Sequence, residues 1–269
     1  MGEAIITRRG GSGSGEVIVE FDNFIPSNID LSDEGITHSP PIALSVGRCD
    51  LAGASVGNYA LFAGGESGSS SYSNAVDAYN TSLTRSSPIV LSAARSLLAG
   101  ASVGNYALFA GGYGSSSTYR DVVDAYNTSL TRSTPTALSV ERYRLAGASV
   151  GDYALFAGGY GSSPTYKDTV DAYNTSLTRS TPTALYAARY WLTGASVGNY
   201  ALFAGGLSGS SSYSNAVDAY SEPMARLFMP IGTKYKFGES EETATTNEIT
   251  VRVPITGYIK FKNGVISNG

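Results

Sequence analysis

The residues that most often carry catalysis are scarce in this chain. It contains one histidine, His38, and one cysteine, Cys49, among 269 residues. A serine-type triad needs an imidazole that activates the nucleophile, and His38 lies in a strand-like segment, where a packing or surface role is more common. Four aspartates have the chemistry of metal ligands, but all stand in the same VDAY context: Asp77, Asp124, Asp171 and Asp218. Identical placement indicates a structural hydrogen bond, which we assign to an arginine that also recurs. We therefore predict a protein that is not an enzyme and holds no metal and no cofactor.

The recurring aspartates belong to a repeat of 47 residues. A glycine pair marks the four copies: Gly64-Gly65, Gly111-Gly112, Gly158-Gly159 and Gly205-Gly206. A fixed period near fifty is typical of propeller blades or a solenoid. Each copy contains four short segments, written LAGASVG, NYALFAGG, DVVDAYN and TRSTPTALS in the second one, and Gly, Asn and Ser separate them. Four strands in each repeat predict a propeller blade.

This unit resembles the kelch repeat. The kelch blade has an arginine before its first strand, a double glycine after its second and a tyrosine at the end of its third, and here these are Arg95, Gly111-Gly112 and Tyr126. The resemblance implies an all-β fold, namely a small kelch-type β-propeller of four blades. Some kelch propellers are copper oxidases whose radical site needs two histidines, so one histidine excludes that activity here.

The ends of the repeat array predict how it closes. Residues 36–48 align with residues 130–142, so the chain enters the array on a fourth strand, while the last copy stops after its third strand at Tyr220. We expect SPPIALS from Ser39 to pair beside AVDAY from Ala216 and to close the ring, which removes free edges. The alternative is that the tail supplies a further blade. The predicted domains are an N-terminal arm with a β segment, residues 1–35, the propeller, residues 36–220, and a C-terminal β module, residues 221–269. The two chain ends are expected to form one small β module, which acts as an anchor or as a lid.

Differences among the four copies fall in two loops. One follows the glycine pair and the other follows the repeat arginine, and in a blade both emerge at the same end. Loops on a rigid scaffold commonly carry binding, and aromatic rings with Ser, Asp and Arg suit sugars. The alternative is neutral drift. The candidate ligand-binding residues are Asp50, Glu66, Tyr113, Tyr143, Arg144, Tyr160, Tyr190 and Trp191.

Charge and the chain start bear on the partners. Only 15% of the residues are charged and the net charge is -4, so we expect neither nucleic acid nor a membrane surface as a partner. The start has no apolar run typical of a signal peptide, which favours synthesis in a bacterial cytoplasm.

The segment GEAIITRRGG resembles the openings of phage and prophage structural proteins of Gram-positive gut bacteria. The leading hypothesis is a virion surface protein, either a capsid decoration protein or a tail-associated adhesin. It is expected in multiple copies, attached to other virion proteins through its terminal segments and able to bind carbohydrate on the host or mucosal surface. The alternatives are an intracellular kelch adaptor that binds a protein through the same face, and an enzyme with an unrecognised site.

Overall fold

The computed structural model describes residues 5–7, 18–20, 38, 40–162, 165–209, 211–222, 224–228, 234–237, 240–243 and 248–252. The chain divides into two compact units, residues 1–40 and 41–269. In the first unit, β1 (Ile5–Thr7) pairs antiparallel with β2 (Ile18–Glu20). No helix in the described part of the chain is long and apolar enough to cross a membrane.

The repeats form four antiparallel sheets, one from each copy. The first sheet contains β3 (Ala52–Val56), β4 (Tyr59–Ala63), β5 (Val76–Asn80) and β6 (Arg85–Ser86). The second copy contributes β7 (Ala99–Val103), β8 (Tyr106–Ala110), a small hairpin of β9 (Tyr113–Gly114) and β10 (Thr118–Tyr119) around a 3-10 turn (Ser115–Ser117), β11 (Val123–Asn127) and β12 (Arg132–Ser133). The third contains β13 (Ala146–Val150), β14 (Tyr153–Ala157), β15 (Val170–Asn174) and β16 (Arg179–Ser180). The fourth contains β17 (Thr193–Val197), β18 (Tyr200–Ala204) and β19 (Val217–Tyr220). The all-β class is therefore confirmed.

The chain after the repeats forms two more strand pairs. In these, β20 (Met224–Phe228) pairs with β23 (Glu248–Arg252), and β21 (Lys234–Phe237) pairs with β22 (Ser240–Thr243). The two chain ends belong to different compact units.

Small residues let the first strands of neighbouring sheets approach closely. Strand β3 packs on β7, β7 on β13 and β13 on β17. A Cβ added at Gly147 would stand 2.3 Å from the carbonyl oxygen of Gly100, so glycine is required at this contact. A serine on each strand crosses the same junction: Ser149 Oγ donates to the Ser102 carbonyl at 2.7 Å, and Ser196 Oγ donates to the Ser149 carbonyl at 2.6 Å.

Buried ion pairs tie the start of each repeat to its third strand. The pairs are Arg48–Asp77 at 2.9 Å, Arg95–Asp124 at 2.9 Å, Arg142–Asp171 at 2.7 Å and Arg189–Asp218 at 2.6 Å. Each arginine also donates to the carbonyl of the phenylalanine on the second strand, as Arg142 does to Phe156 at 3.1 Å. The predicted structural role of the four aspartates, with arginine as the partner, is confirmed.

Acid is expected to weaken the first of these pairs. Burial opposes ionisation of Asp77, but hydrogen bonds from Arg85, Ser45 and Arg48 outweigh it, and the pKa of Asp77 is lowered. A lowered pKa in the folded state gives stability that is present above the unfolded pKa of about 3.9 and is lost as pH falls through the folded pKa. Denaturant unfolding of the wild type and of Asp77→Asn should therefore show a stability difference that holds from pH 7 to about pH 5 and shrinks below about pH 4. A difference that stays constant down to pH 3 would contradict this.

The fourth strand of each sheet is shorter than predicted. Only two residues, such as Arg132–Ser133, pair in each of the first three copies. A proline follows two positions later, for example Pro135, and it has no N–H for a sheet. The rest of the predicted strand crosses instead to the sheet of the next copy, where the Tyr173 hydroxyl donates to the Thr136 carbonyl at 2.8 Å.

The predicted ring-closing strand begins at Ser39, which lies outside the described residues, while the part of the segment that follows is described. The Tyr79 hydroxyl donates to the Ile42 carbonyl at 2.8 Å, and Ser45 Oγ donates to the Asp77 carboxylate at 3.0 Å, so this segment lies on the first sheet. Among the described strands, β19 pairs with β18 alone. The equivalent segments of the later copies make the same bonds to the sheet that follows them, as Ser92 does with Asp124.

Candidate functional site

The two variable loops of each repeat meet at one end of their sheet. The residue after the repeat arginine pairs with the residue after the glycine pair: Tyr143 N–H donates to the Tyr160 carbonyl at 2.9 Å, and the reverse bond is 2.8 Å. Cys49 with Glu66, and Tyr190 with Leu207, form the same bridge. Side chains that sequence comparison singled out in separate loops therefore lie together.

Four equivalent positions form a rim where the first strands begin. Leu97 N–H donates to the Asp50 carbonyl, Arg144 N–H to Leu97 and Trp191 N–H to Arg144, at 2.9, 2.9 and 3.0 Å. All four have a left-handed backbone, with φ between 53° and 56°, a conformation that is uncommon outside glycine. The backbone is thus the same in every copy, while the side chains are an acid, an alkyl chain, a cation and an indole.

The rim lines an open cavity of about 240 Å³. Its walls are the four rim residues and the leucine that follows each of them, namely Leu51, Leu98, Leu145 and Leu192. An apolar floor under a rim with one carboxylate and one guanidinium is typical of a small-ligand site.

Arg144 and Trp191 are in direct contact at this rim. The Arg144 guanidinium carbon lies 3.7 Å from the Trp191 ring centre and 5.1 Å from that of Tyr143. Trp191 stays 55% exposed. Stacking on an indole occupies the face of a guanidinium and leaves its in-plane N–H donors free to bind a ligand. The buried Arg144 Nε has no hydrogen-bond partner among the described residues.

Aromatic rings extend from this rim across all four repeats. Neighbouring ring centres along the chain of contacts are 5.2 to 5.8 Å apart, in the order Tyr72, Tyr113, Tyr143, Tyr160, Tyr190 and Trp191. Tyr119 stacks on Tyr143 at 5.5 Å, and Tyr166 stacks on Tyr190 at 5.4 Å. We call these eight residues the aromatic surface. Burial raises the pKa of Tyr143, so its hydroxyl is a neutral donor and acceptor at physiological pH.

The structure places the predicted site residues in three groups. Asp50, Arg144 and Trp191 line the cavity, and Tyr113, Tyr143, Tyr160 and Tyr190 belong to the aromatic surface. Glu66 forms the third group by itself, and its carboxylate accepts the Ser70 N–H at 2.7 Å within its own loop.

Sequence reasoning missed three residues of this region. Leu97 holds a rim position, and Tyr119 and Tyr166 stack within the aromatic surface. The two tyrosines occur at one position in every copy, so a search for differences among copies passed over them. A search for aromatic residues that recur every 47 residues next to the variable loops would have found them.

Comparison with models of protein families and with curated proteins gives no match to this chain. A proposal for the function therefore rests on the residues of the site and on the repeat pattern. Within the described segments, no three His, Cys, Asp or Glu side chains lie together as a metal-binding group would require.

Proposed function

We propose that the protein is a non-enzymatic carbohydrate-binding protein on the surface of a phage particle, and that its four sheets are blades of the kelch type. The observation that carries the binding proposal is the rim at which Asp50, Arg144 and Trp191 surround a cavity with an apolar floor. Resemblance of the repeat to kelch supports the blade assignment. Resemblance of the chain start to phage structural proteins supports the placement on a virion.

The rim chemistry suits a sugar ring. Pyranose rings have apolar faces that contact aromatic rings and leucine side chains, while their hydroxyls bond to carboxylates and guanidinium groups. Asp50 supplies acceptors, and Arg144 supplies N–H donors that its stack on Trp191 leaves free. The cavity is smaller than the about 300 Å³ at which small-molecule pockets begin, which favours a single terminal ring over an enclosed oligosaccharide.

Placement on the particle would use the terminal segments, with residues 221–269 as the anchor to other virion proteins. Mass spectrometry of purified particles tests this part of the proposal. The chain should copurify with the particles in multiple copies, and a particle preparation without it would contradict the placement.

The Trp191→Ala variant is expected to lose saccharide binding while it stays folded. Trp191 is exposed and removal of its ring takes away both a stacking face and the support of Arg144. Truncation of such an aromatic anchor costs about 1–3 kcal/mol of binding. A glycan array identifies the saccharide, and isothermal calorimetry on both proteins measures the loss, with an unchanged melting temperature as the sign of an intact fold.

Tyr186→Ala is the matched control, because Tyr186 is an exposed aromatic residue outside the aromatic surface. It should bind as the wild type does. Tyr190 is unsuitable for this test, since its side chain is buried and its loss would disturb packing. Wild-type protein that binds no saccharide on the array would refute the carbohydrate proposal, and full binding by Trp191→Ala would refute this site.

A further inference from the structure

The first and last sheets each keep one exposed face that the inner sheets bury. On the fourth sheet, Val217 is 61% exposed, while Val170 at the same position of the third sheet is 1% exposed. On the first sheet, Phe62 is 37% exposed, whereas Phe109 of the second sheet is fully buried. We call these the trailing face, with Ala195, Val197, Val217 and Ala219, and the leading face, with Gly53, Ser55, Ala60 and Phe62.

These two faces are the halves of one interface that the chain makes three times. At the junction of the second and third sheets, Val123 and Ala125 of the trailing side share a core with Ala154 and Phe156 of the leading side. The other two junctions bury the equivalent residues in equivalent cores. The exposed trailing face therefore has the shape and the apolar character that fit the exposed leading face.

Hydrogen bonds across the junctions follow the same rule. Serine Oγ donates to the serine carbonyl one copy earlier, rim N–H groups donate to the preceding rim carbonyl, and the second glycine of each pair donates to the arginine carbonyl one copy later. Each series occurs three times in the chain. The next member would join Ser55 to the Ser196 carbonyl, and the Asp50 N–H to the Trp191 carbonyl.

We propose that a second copy of this chain docks head to tail, with its leading face on the trailing face of the first copy. The contact would repeat an interface that is already established inside the chain, including its apolar core and its hydrogen bonds. Two copies present eight sheets, which lies within the four to eight blades typical of propellers. A pair that closes on itself would leave neither face exposed, as expected for a heterologous contact whose rotation closes.

Gly53 provides a sharp test of this docking. A Cβ at Gly53 meets nothing nearer than 3.7 Å in its own chain, whereas one at Gly100, Gly147 or Gly194 would stand 2.2 or 2.3 Å from a carbonyl oxygen of the preceding sheet. Gly53→Ala should therefore leave one chain intact and block the docked copy. Gly47→Ala is the control, because a Cβ there meets nothing within 4 Å.

Analytical ultracentrifugation of the full chain over a range of concentrations gives the readout. Wild type and Gly47→Ala should show twice the 27.9 kDa of one chain, or a higher multiple. Gly53→Ala should remain a folded single chain, with association weakened by about 100-fold or more. Val217→Asp should do the same from the trailing face, because it places a charge in the apolar core of the contact.

A mixture of the two variants separates head-to-tail docking from any other self-association. The Val217→Asp copy keeps an intact leading face and the Gly53→Ala copy keeps an intact trailing face, so the mixture should form pairs that neither variant forms alone. Wild-type protein that stays a single chain at every concentration would overturn the proposal. The same result would be seen if another part of the chain covered either face, so that cause would overturn the proposal as well. Gly53→Ala that associates as the wild type does would also overturn it.

Discussion

Substitution of Arg142 by methionine is expected to lower the free energy of unfolding by about 3–5 kcal/mol, because it breaks a fully buried ion pair and leaves a charge behind. Arg142 Nη2 bonds to both the Asp171 carboxylate and the Phe156 carbonyl, and its side chain has no exposed surface. Both acceptors would lose this buried donor, and the Asp171 carboxylate would keep only Ser139 and the partly exposed Arg179 as partners. Chemical denaturation followed by circular dichroism measures the change.

Arg179→Met is the matched control, since Arg179 contacts the same carboxylate at 3.3 Å but is 26% exposed. Its removal should cost no more than about 1 kcal/mol, as for other solvent-accessible ion pairs. Equal losses for the two variants would show that burial of the Arg142 pair does not determine its contribution.

The Gly147→Ala variant tests the close approach of the inner strands. Its Cβ would stand 2.3 Å from the Gly100 carbonyl oxygen, and a backbone oxygen in the middle of β7 cannot move without disturbing the sheet. We expect a loss of about 3 kcal/mol in the free energy of unfolding, the upper part of the range for overpacking. Gly47→Ala, which adds a Cβ in open space, should change it by less than about 0.5 kcal/mol. Unfolding by denaturant at low protein concentration, where the chain is single, provides both values.

Much of the fold could be predicted because the chain repeats itself. Three strands of each copy follow from short apolar and small segments between turn residues, and they appear as AGASV, YALFA and VDAYN in the second copy. Identical aspartates in identical strands also predicted the buried ion pairs with arginine. In both cases one local pattern, seen four times, was sufficient.

The course of the fourth strand could not be predicted in the same way. The segment with Pro135 has the composition of a strand, but its hydrogen bonds go to the sheet of the next copy, and no local pattern records that choice. Closure depends on the angle between successive sheets. That angle results from the packing at every junction, so the exposure of Phe62 and Val217 could not be predicted from the amino-acid sequence.

The candidate site was predicted in part. Differences among the copies identified Asp50, Arg144 and Trp191, which the structure brings to one rim. They did not identify Tyr119, whose stack on Tyr143 depends on how far its loop folds back. Sequence differences among the copies indicate where their chemistry differs. Contacts between a constant residue and a variable one can be identified only from the structure.

Fluorescence of Trp191, the single tryptophan of the chain, tests the central claim most directly. The protein is titrated with the saccharide that a glycan array identifies, and the emission is compared with a calorimetric titration of the same sample. A sugar ring at the rim changes the solvent exposure of the indole and its contact with Arg144, so the account predicts a saturating shift in emission with the calorimetric Kd. Saccharide binding by calorimetry with unchanged Trp191 emission would contradict it.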